Sequence, residues 1–432
     1  MIHWPLQPFN TIYAESSRNG ITRPKATRGL GHKMVNMGEL FAYGRFWNPD
    51  MELVQLSDSE IERFSLKQGD LLFARQSLVL EGTGKCSIVM DVPETTCFES
   101  HLIRVRLDKQ KVSPIYYYYY FGSHQGKANM QSLVMQVAAA GIRGSELAFL
   151  QVPVPPLPTQ RKIAAILSTY DDLIDNNLRR IKILEEMAQN IYHEWFVKFR
   201  FPGHQQTRFV DSSLSHIPEG WEVVNISDIA IIHRGRSYKG TELAEEGGRP
   251  FINLKCIERD GGFRSSGLKR YTGLFKDTQT VRAGEMVMAI TDMTQERRIV
   301  ARVGRVSRLD ADFGVVSMDL VRVASRGKLS ETYLYAMLRW SDFADEVKQQ
   351  ANGANVLHLL PDRIEEYRFI CPTSDVAARF GEIVLPILSL CDSLEQKNTT
   401  LRRTRDLLLP RLISGEVDVS ELDITVPEEA IC

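Results

Sequence analysis

The stretch Thr159–Phe199, TQRKIAAILSTYDDLIDNNLRRIKILEEMAQNIYHEWFVKF, contains neither glycine nor proline. Its apolar residues recur at helical spacing. Ile163, Tyr170, Leu184 and Ile191 share one seven-residue register, and Leu167, Ile174, Ile181, Ala188 and Trp195 lie on the neighbouring line. Side chains three, four and seven apart fall on one face of an α-helix, so the spacing predicts one long helix with a broad apolar stripe. At about 1.5 Å per residue, roughly forty residues reach about 60 Å.

A second stretch, from Ser374 to Ile413, behaves the same way. Phe380, Ile387, Leu394, Leu401 and Leu408 keep a seven-residue spacing, with Val384, Cys391 and Leu412 beside them. Pro386 falls inside this pattern and predicts a kink or a helix start; Gly415 is a stop signal. Asn177 and Asn398 each sit in an apolar stripe, where a buried Asn fixes register and a solvated one merely marks the stripe edge. Two such helices in one chain pack antiparallel on each other within the molecule; the alternative is that each pairs with a second chain.

The regions preceding the two helices repeat each other. Trp4 matches Trp221, Val35-Asn36 matches Ile252-Asn253, Ser100 matches Ser317, and Tyr116 and Tyr118 match Tyr333 and Tyr335, all at an offset of 217 residues. Gly69-Asp70 resembles Gly284-Glu285 and Gly141 resembles Gly353 with small slips, as loop insertions produce. Lys67-Gln-Gly-Asp-Leu-Leu-Phe-Ala parallels Arg282-Ala-Gly-Glu-Met-Val-Met-Ala, each a turn running into a short apolar strand. A short amphipathic helix follows in each copy, Ile115–His124 and Glu331–Ser341. The expected organisation is therefore α+β: a domain over residues 1–157, a helix over 158–203, a second domain over 204–373, a second helix over 374–415 and a tail over 416–432.

Composition narrows the function. The 432 residues carry 53 Lys and Arg against 54 Asp and Glu, a net charge of −1, so any surface for an anionic polymer is a local patch rather than a global excess. The six cysteines include no Cys-x-x-Cys pair, which argues against a zinc ribbon or a disulfide framework. No run approaches eighteen uncharged apolar residues, as a membrane span requires, and MIHWPLQPFN has no secretory pattern; a cytoplasmic protein is expected.

Catalytic motifs fail on spacing. Asn48-Pro49-Asp50 lacks the second proline and the aromatic residue of an amino-methyltransferase motif. Gly82-Thr-Gly-Lys-Cys86 resembles a phosphate loop, but Val79 stands where the first glycine belongs and Cys86 replaces Ser or Thr. Asp362, Glu365 and Glu366 lack the lysine spacing of a metal-dependent nuclease and read as a helix start. The tyrosine run Tyr116–Tyr120 suits base stacking, yet its partner Tyr333-Leu-Tyr-Ala-Met-Leu is an ordinary amphipathic helix, so packing is the expected role.

Several segments carry a family resemblance. Pro158-Thr-Gln-Arg-Lys-Ile-Ala-Ala-Ile-Leu-Ser-Thr-Tyr-Asp-Asp-Leu-Ile-Asp-Asn-Asn and Ile183-Leu-Glu-Glu-Met-Ala-Gln-Asn-Ile-Tyr-His-Glu-Trp-Phe-Val-Lys-Phe-Arg-Phe-Pro-Gly203 resemble the central helical region of Type I restriction–modification specificity subunits. Ile217-Pro-Glu-Gly-Trp-Glu-Val resembles the opening of that family's target-recognition domain, and Leu408-Leu-Pro-Arg-Leu-Ile-Ser-Gly-Glu-Val417 its C-terminal ending; His3-Trp-Pro-Leu departs from the opening motif. The resemblance implies two target-recognition domains, each reading half of a bipartite DNA site, with two long antiparallel helices setting the unread gap. It implies docking of two methyltransferase subunits and two restriction–translocase subunits. S-adenosylmethionine, and ATP with Mg2+, are then expected on those partners and not on this chain.

Phosphate binding needs positive charge, and base reading adds Arg, Lys, Asn or Gln at groove edges. In the first copy Arg18, Arg23, Lys25, Arg28 and Lys33 crowd a Gly-punctuated loop with Glu15 as the nearby acid. In the second, Arg234, Arg236 and Lys239 surround Gly235 and Gly240. Arg297, Arg298, Arg302, Arg305 and Arg308 form a further cluster, and Gln76 and Gln295 are candidates for adenine edges. The competing readings are a self-contained restriction or methylation enzyme and a coiled-coil scaffold whose repeated domains bind protein.

Overall fold

A computed structural model describes residues 4–77, 82–136 and 141–427; His3, Val79 and Cys432 lie outside them. The chain divides into two compact units, one of residues 1–175 with 398–432 and the other of residues 176–397. Both boundaries fall inside the long helices, so each unit owns a length of each helix.

In the first unit, the strands Tyr13–Asn19, Leu102–Leu107, Leu71–Ala74, Cys86–Asp91 and Arg45–Trp47 form a sheet in that order, antiparallel except for the last pair. A three-stranded sheet places Arg28–Val35 between Glu52–Val54 and Thr96–Phe98. The second unit has the corresponding sheet Ala230–Arg234, Leu320–Ser325, Met286–Ala289 and Val303–Arg305. A five-stranded partner sheet is centred on Arg249–Ile252, between Lys269–Tyr271 and Gly314–Val316.

The repeat holds at the level of individual hydrogen bonds, at positions the sequence marked and at others it did not. The Phe9 amide donates to the Leu150 carbonyl, and the Ile226 amide to that of Tyr367. Val35 pairs in parallel with Phe98, and Ile252 with Val316. Gly69 and Gly284 both take φ of +89°, a left-handed turn that glycine adopts without a Cβ clash. The amide two residues before each glycine is capped by the acid after it, Lys67 N to Asp70 at 2.7 Å and Arg282 N to Glu285 at 2.5 Å.

Two pairings differ from the sequence reading. The Glu99 amide bonds to Val35 and the Ser317 amide to Ile252, so Ser317 corresponds to Glu99, and Ser100 corresponds to Met318. The Ile142 amide donates to Arg75 and the Leu359 amide to Ile290, which makes His358 the counterpart of Gly141 and leaves Gly353 in a separate loop.

The long helices run Leu157–Tyr192 and Ser374–Ile413. The first ends earlier than its apolar stripe: a π turn covers His193–Val197, and Phe199 turns left-handed at φ 56°. Pro386 neither starts nor ends the second helix; it is exposed, where the carbonyl freed by its missing amide is open to water. Within the first unit Asp171 pairs with Arg405, and Ile163 and Leu167 share a core with Leu412 and Ile413. Within the second, the Cys391 thiol lies on the Ile181 carbonyl and the Tyr192 ring stands 6.2 Å from that of Phe380. Partner numbers fall as helix numbers rise, so the packing is antiparallel in each unit. Asn177 and Asn398 are both buried.

The tyrosine run is core. It forms the helix Pro114–Gly122, capped by Ser113, and Tyr116, Tyr117 and Tyr120 are buried with Phe9 and Phe73. The Tyr117 hydroxyl donates to the Pro153 carbonyl and that of Tyr119 to Asp171 at 2.6 Å. Its counterpart, Glu331–Trp340, buries Tyr333 and Tyr335 against Phe380 and Val384 of the second long helix.

Candidate nucleic-acid interface

The strand Ala230–Arg234 leads into the basic loop of the second unit. A Cβ at Gly235 would lie 2.0 Å from the Ser317 carbonyl oxygen, so only glycine permits this approach. The loop is then stapled down: the Arg236 amide donates to Val316 at 2.7 Å and the Met318 amide to Arg236 at 2.8 Å. A 3-10 turn, Gly240–Glu242, follows, closed by the Glu242 carboxylate on the Lys239 amide at 2.6 Å. Arg234 and Lys239 are exposed, and neither forms an ion pair among the described residues. Arg236 is half-buried, its Nε 3.4 Å from the Tyr271 hydroxyl.

The first unit builds the same staple. A Cβ at Gly20 would lie 2.1 Å from the Phe98 carbonyl oxygen, the Ile21 amide donates to Phe98, and the Ser100 amide donates to Ile21. Gly20 therefore matches Gly235, and Asn19 stands where the second unit has Arg234. The charges, however, are spent differently. Arg23 pairs with Glu60 at 2.6 Å and reaches the Gln55 carbonyl. Arg28 pairs with Glu52 at 2.5 Å and donates to the Arg23 carbonyl. Lys33 lies 2.8 Å from both Glu94 and Asn48. Arg18 is half-buried over the Phe64 ring. Glu15 is not the acid of this loop, because its carboxylate holds Arg104 and Arg106. The Ser57 amide and then the Arg23 guanidinium pull the Glu60 carboxyl down to about 2, so this pairing persists at any physiological pH. Of the five cations, Lys25 alone is exposed without an acid among the described residues.

The second arginine cluster disperses. Arg297 donates to Gln349, Arg298 pairs with Glu296, Arg302 pairs with Asp345 at 2.8 Å, and Arg305 pairs with Asp392 on the second long helix. Arg302 and Arg305 thus brace the unit internally, and Arg308 is left exposed. The Gln295 amide nitrogen is 3.0 Å from the Ala354 carbonyl and 3.4 Å from that of Gly353, so its donor is occupied by the chain itself. Gln76 is exposed. One cation escaped the sequence reading: Arg249 is exposed at the start of its strand, paired in register with Tyr271 and lying 4.5 Å over the Phe313 ring. It belongs to no motif, and only the strand pairing sets it beside Tyr271, whose hydroxyl Arg236 approaches.

The glycine-rich string at residues 82–86 does not cradle an anion. The Gly84 amide donates to Ala74 and the Lys85 amide to Gly82, while the Lys85 ammonium bonds the Phe41 carbonyl at 2.8 Å. Asp362 sits in the first turn of the helix Pro361–Glu365. No described helix is long and apolar enough to cross a membrane.

The sequence profile described as the Type I restriction modification DNA specificity domain matches residues 34–186 and 218–402. The chain is similar to the specificity subunit of the Type I restriction enzyme MjaIX from Methanocaldococcus jannaschii, 26% identical over 325 residues that cover 73% of this chain and 72% of that one. It is also similar to the EcoKI specificity subunit from Escherichia coli, 28% identical over 187 residues covering 41% and 40% of the two chains. A crystal structure of a Type-I restriction-modification system S subunit from M. genitalium overlays 95% of this chain and 96% of its own with a TM-score of 0.55 at 15% identity, a likeness of fold.

Proposed function

Because this chain belongs to the family of Type I restriction–modification DNA specificity proteins, we propose that it is the non-catalytic subunit that selects the DNA sequence, each unit reading one half of a bipartite duplex site. The observation that carries this reading is the duplicated staple at Gly20 and Gly235, which presents a structurally equivalent loop from each unit while the side chains on the two loops differ. A shared frame with different side chains is what two different half-sites require, since phosphate contacts position a reader and base-edge contacts specify the sequence.

In this reading the long helices set the unread gap and dock two methyltransferase subunits, with two restriction–translocase subunits joining the complex in the cytoplasm. S-adenosylmethionine is bound by the methyltransferase, ATP and Mg2+ by the translocase. This chain supplies the address. The phosphate-facing candidates are Arg234, Lys239 and Arg249 in the second unit and Lys25 in the first; Arg23, Arg28, Lys33, Arg302 and Arg305 hold the fold.

Reconstitution tests the division of labour. Methyl transfer to duplex DNA is expected from the purified chain mixed with its methyltransferase partner, and from neither alone. Methylation or cleavage by this chain alone identifies a self-contained enzyme; a partner complex with no DNA preference identifies a protein scaffold.

A further inference from the structure

Leu30 is 71% exposed and Leu274 is 85% exposed, each the most exposed large apolar side chain described in its unit. A single exposed leucine on a soluble protein requires no explanation. These two differ because the backbone is built to display them, and because they occupy the same corner of the two units without occupying the same sequence position.

Leu30 is the apex of a bulge. Arg28 and His32 both face Val54 across the strand pair, so residues 29–31 loop out between them. Gly29 takes φ of +115° and Gly31 of +107°, and a Cβ at Gly31 would lie 2.4 Å from the Val54 carbonyl oxygen. Bulges of this kind re-aim a side chain, and the flanking glycines are required by the geometry. Leu274 is held up by a different device. The Tyr271 hydroxyl, on a buried ring stacked against Phe251, donates to the Leu274 carbonyl at 3.0 Å, and Gly273 packs directly over that hydroxyl.

The corners correspond. A Cβ at Gly248 would lie 2.4 Å from the Tyr271 carbonyl oxygen, as one at Gly31 would from that of Val54, so Val54 and Tyr271 are equivalent. Leu30 bulges opposite Val54, and Leu274 follows Tyr271 by three residues. An arginine of the stapled loop reaches each corner: Arg23 Nε approaches the Gln55 carbonyl, and Arg236 Nε the Tyr271 hydroxyl.

We infer that Leu30 and Leu274 are specificity-determining residues that each contact the 5-methyl group of a thymine in the major groove, one in each half-site. This rests on the proposed function. A leucine offers no hydrogen bond, and the thymine methyl is the apolar group that the major-groove edge presents.

The test uses the complex of this chain with its methyltransferase partner and a duplex bearing its methylated site, with each thymine replaced in turn by deoxyuridine. Removing the contacted methyl is expected to weaken wild-type binding about four-fold at one position in each half-site. Leu274→Ala abolishes that sensitivity in one half only, and Leu30→Ala in the other. Both side chains are solvent-exposed, so both variants fold. Wild-type binding insensitive to every deoxyuridine, or sensitivity that survives both substitutions, overturns the inference, as does a leucine wedge, which would lose affinity on substitution without regard to the methyl. A wild-type complex that does not prefer its site over a scrambled duplex removes the proposed function itself.

Discussion

Reversing the charges of Arg234 and Lys239 together (R234E/K239E) lowers affinity for duplex DNA by about a hundred-fold near 0.1 M salt and leaves the unfolding transition where it was. Both side chains are exposed and lack an acidic partner among the described residues, so no native ion pair is lost. Removing two phosphate contacts shrinks the slope of log affinity against log salt by about two, which near 0.1 M salt is itself about a hundred-fold. The matched control is R23E/R28E. Those guanidiniums are bonded to Glu60 and Glu52, so reversal sets like charges together and destabilises the first unit. Anisotropy titrations at several salt concentrations, alongside calorimetry, separate the two behaviours. Unchanged affinity and slope in folded R234E/K239E remove this loop from the DNA surface.

Asp70→Ala has the largest expected effect on stability, about 3 kcal/mol or more. Asp70 is 0% exposed; it caps the Lys67 amide and grips Arg106 through both oxygens at 2.7 Å. Truncation leaves the guanidinium with Glu15 and the Ser65 carbonyl, which moderates the loss, but the part-buried Lys67 amide loses its acceptor outright. Glu285, the counterpart of Asp70, pairs at 3.1 Å with Arg322, which stands where the first unit has Arg104, and its side chain is 31% exposed, so Glu285→Ala costs about 1 kcal/mol. At 2–4 °C per kcal/mol for a unit of about this size, Asp70→Ala lowers the first unit's melting temperature by about 10 °C. Hydrogen exchange in the strand Leu71–Ala74 reports the same loss locally. Equal effects at the two sites contradict the assignment of this difference to burial.

The duplication and the long helices were legible in the sequence because they are written in burial and backbone geometry. Matched residues such as Val35 and Ile252, or Gly69 and Gly284, occupy positions where a parallel pairing or a left-handed turn dictates residue type. The helix ends were less legible. The stripe continues to Trp195 because that side chain, with its neighbour Phe196, is buried in the second unit's core, although the backbone there has left the α-helix; burial repeats without helix when aromatic side chains cluster. The basic loops were half legible. Cations at Arg23, Arg28, Arg302 and Arg305 are close in sequence to one another, but their acids, Glu60, Glu52, Asp345 and Asp392, arrive from other elements of the same unit. A count along the chain sees the positive charge and misses its neutralisation. Leu30 and Leu274 gave no signal at all, since an apolar residue between two glycines, as at Leu30, or after one, as at Leu274, reads as a turn.

The most direct measurement is a base-resolution methylation map of DNA from cells expressing this chain with its methyltransferase partner, beside cells in which this chain is deleted. The account predicts a motif of two short specific blocks separated by a fixed unread gap, lost entirely on deletion. Methylation that persists without this chain, or a motif with a single continuous block, contradicts it.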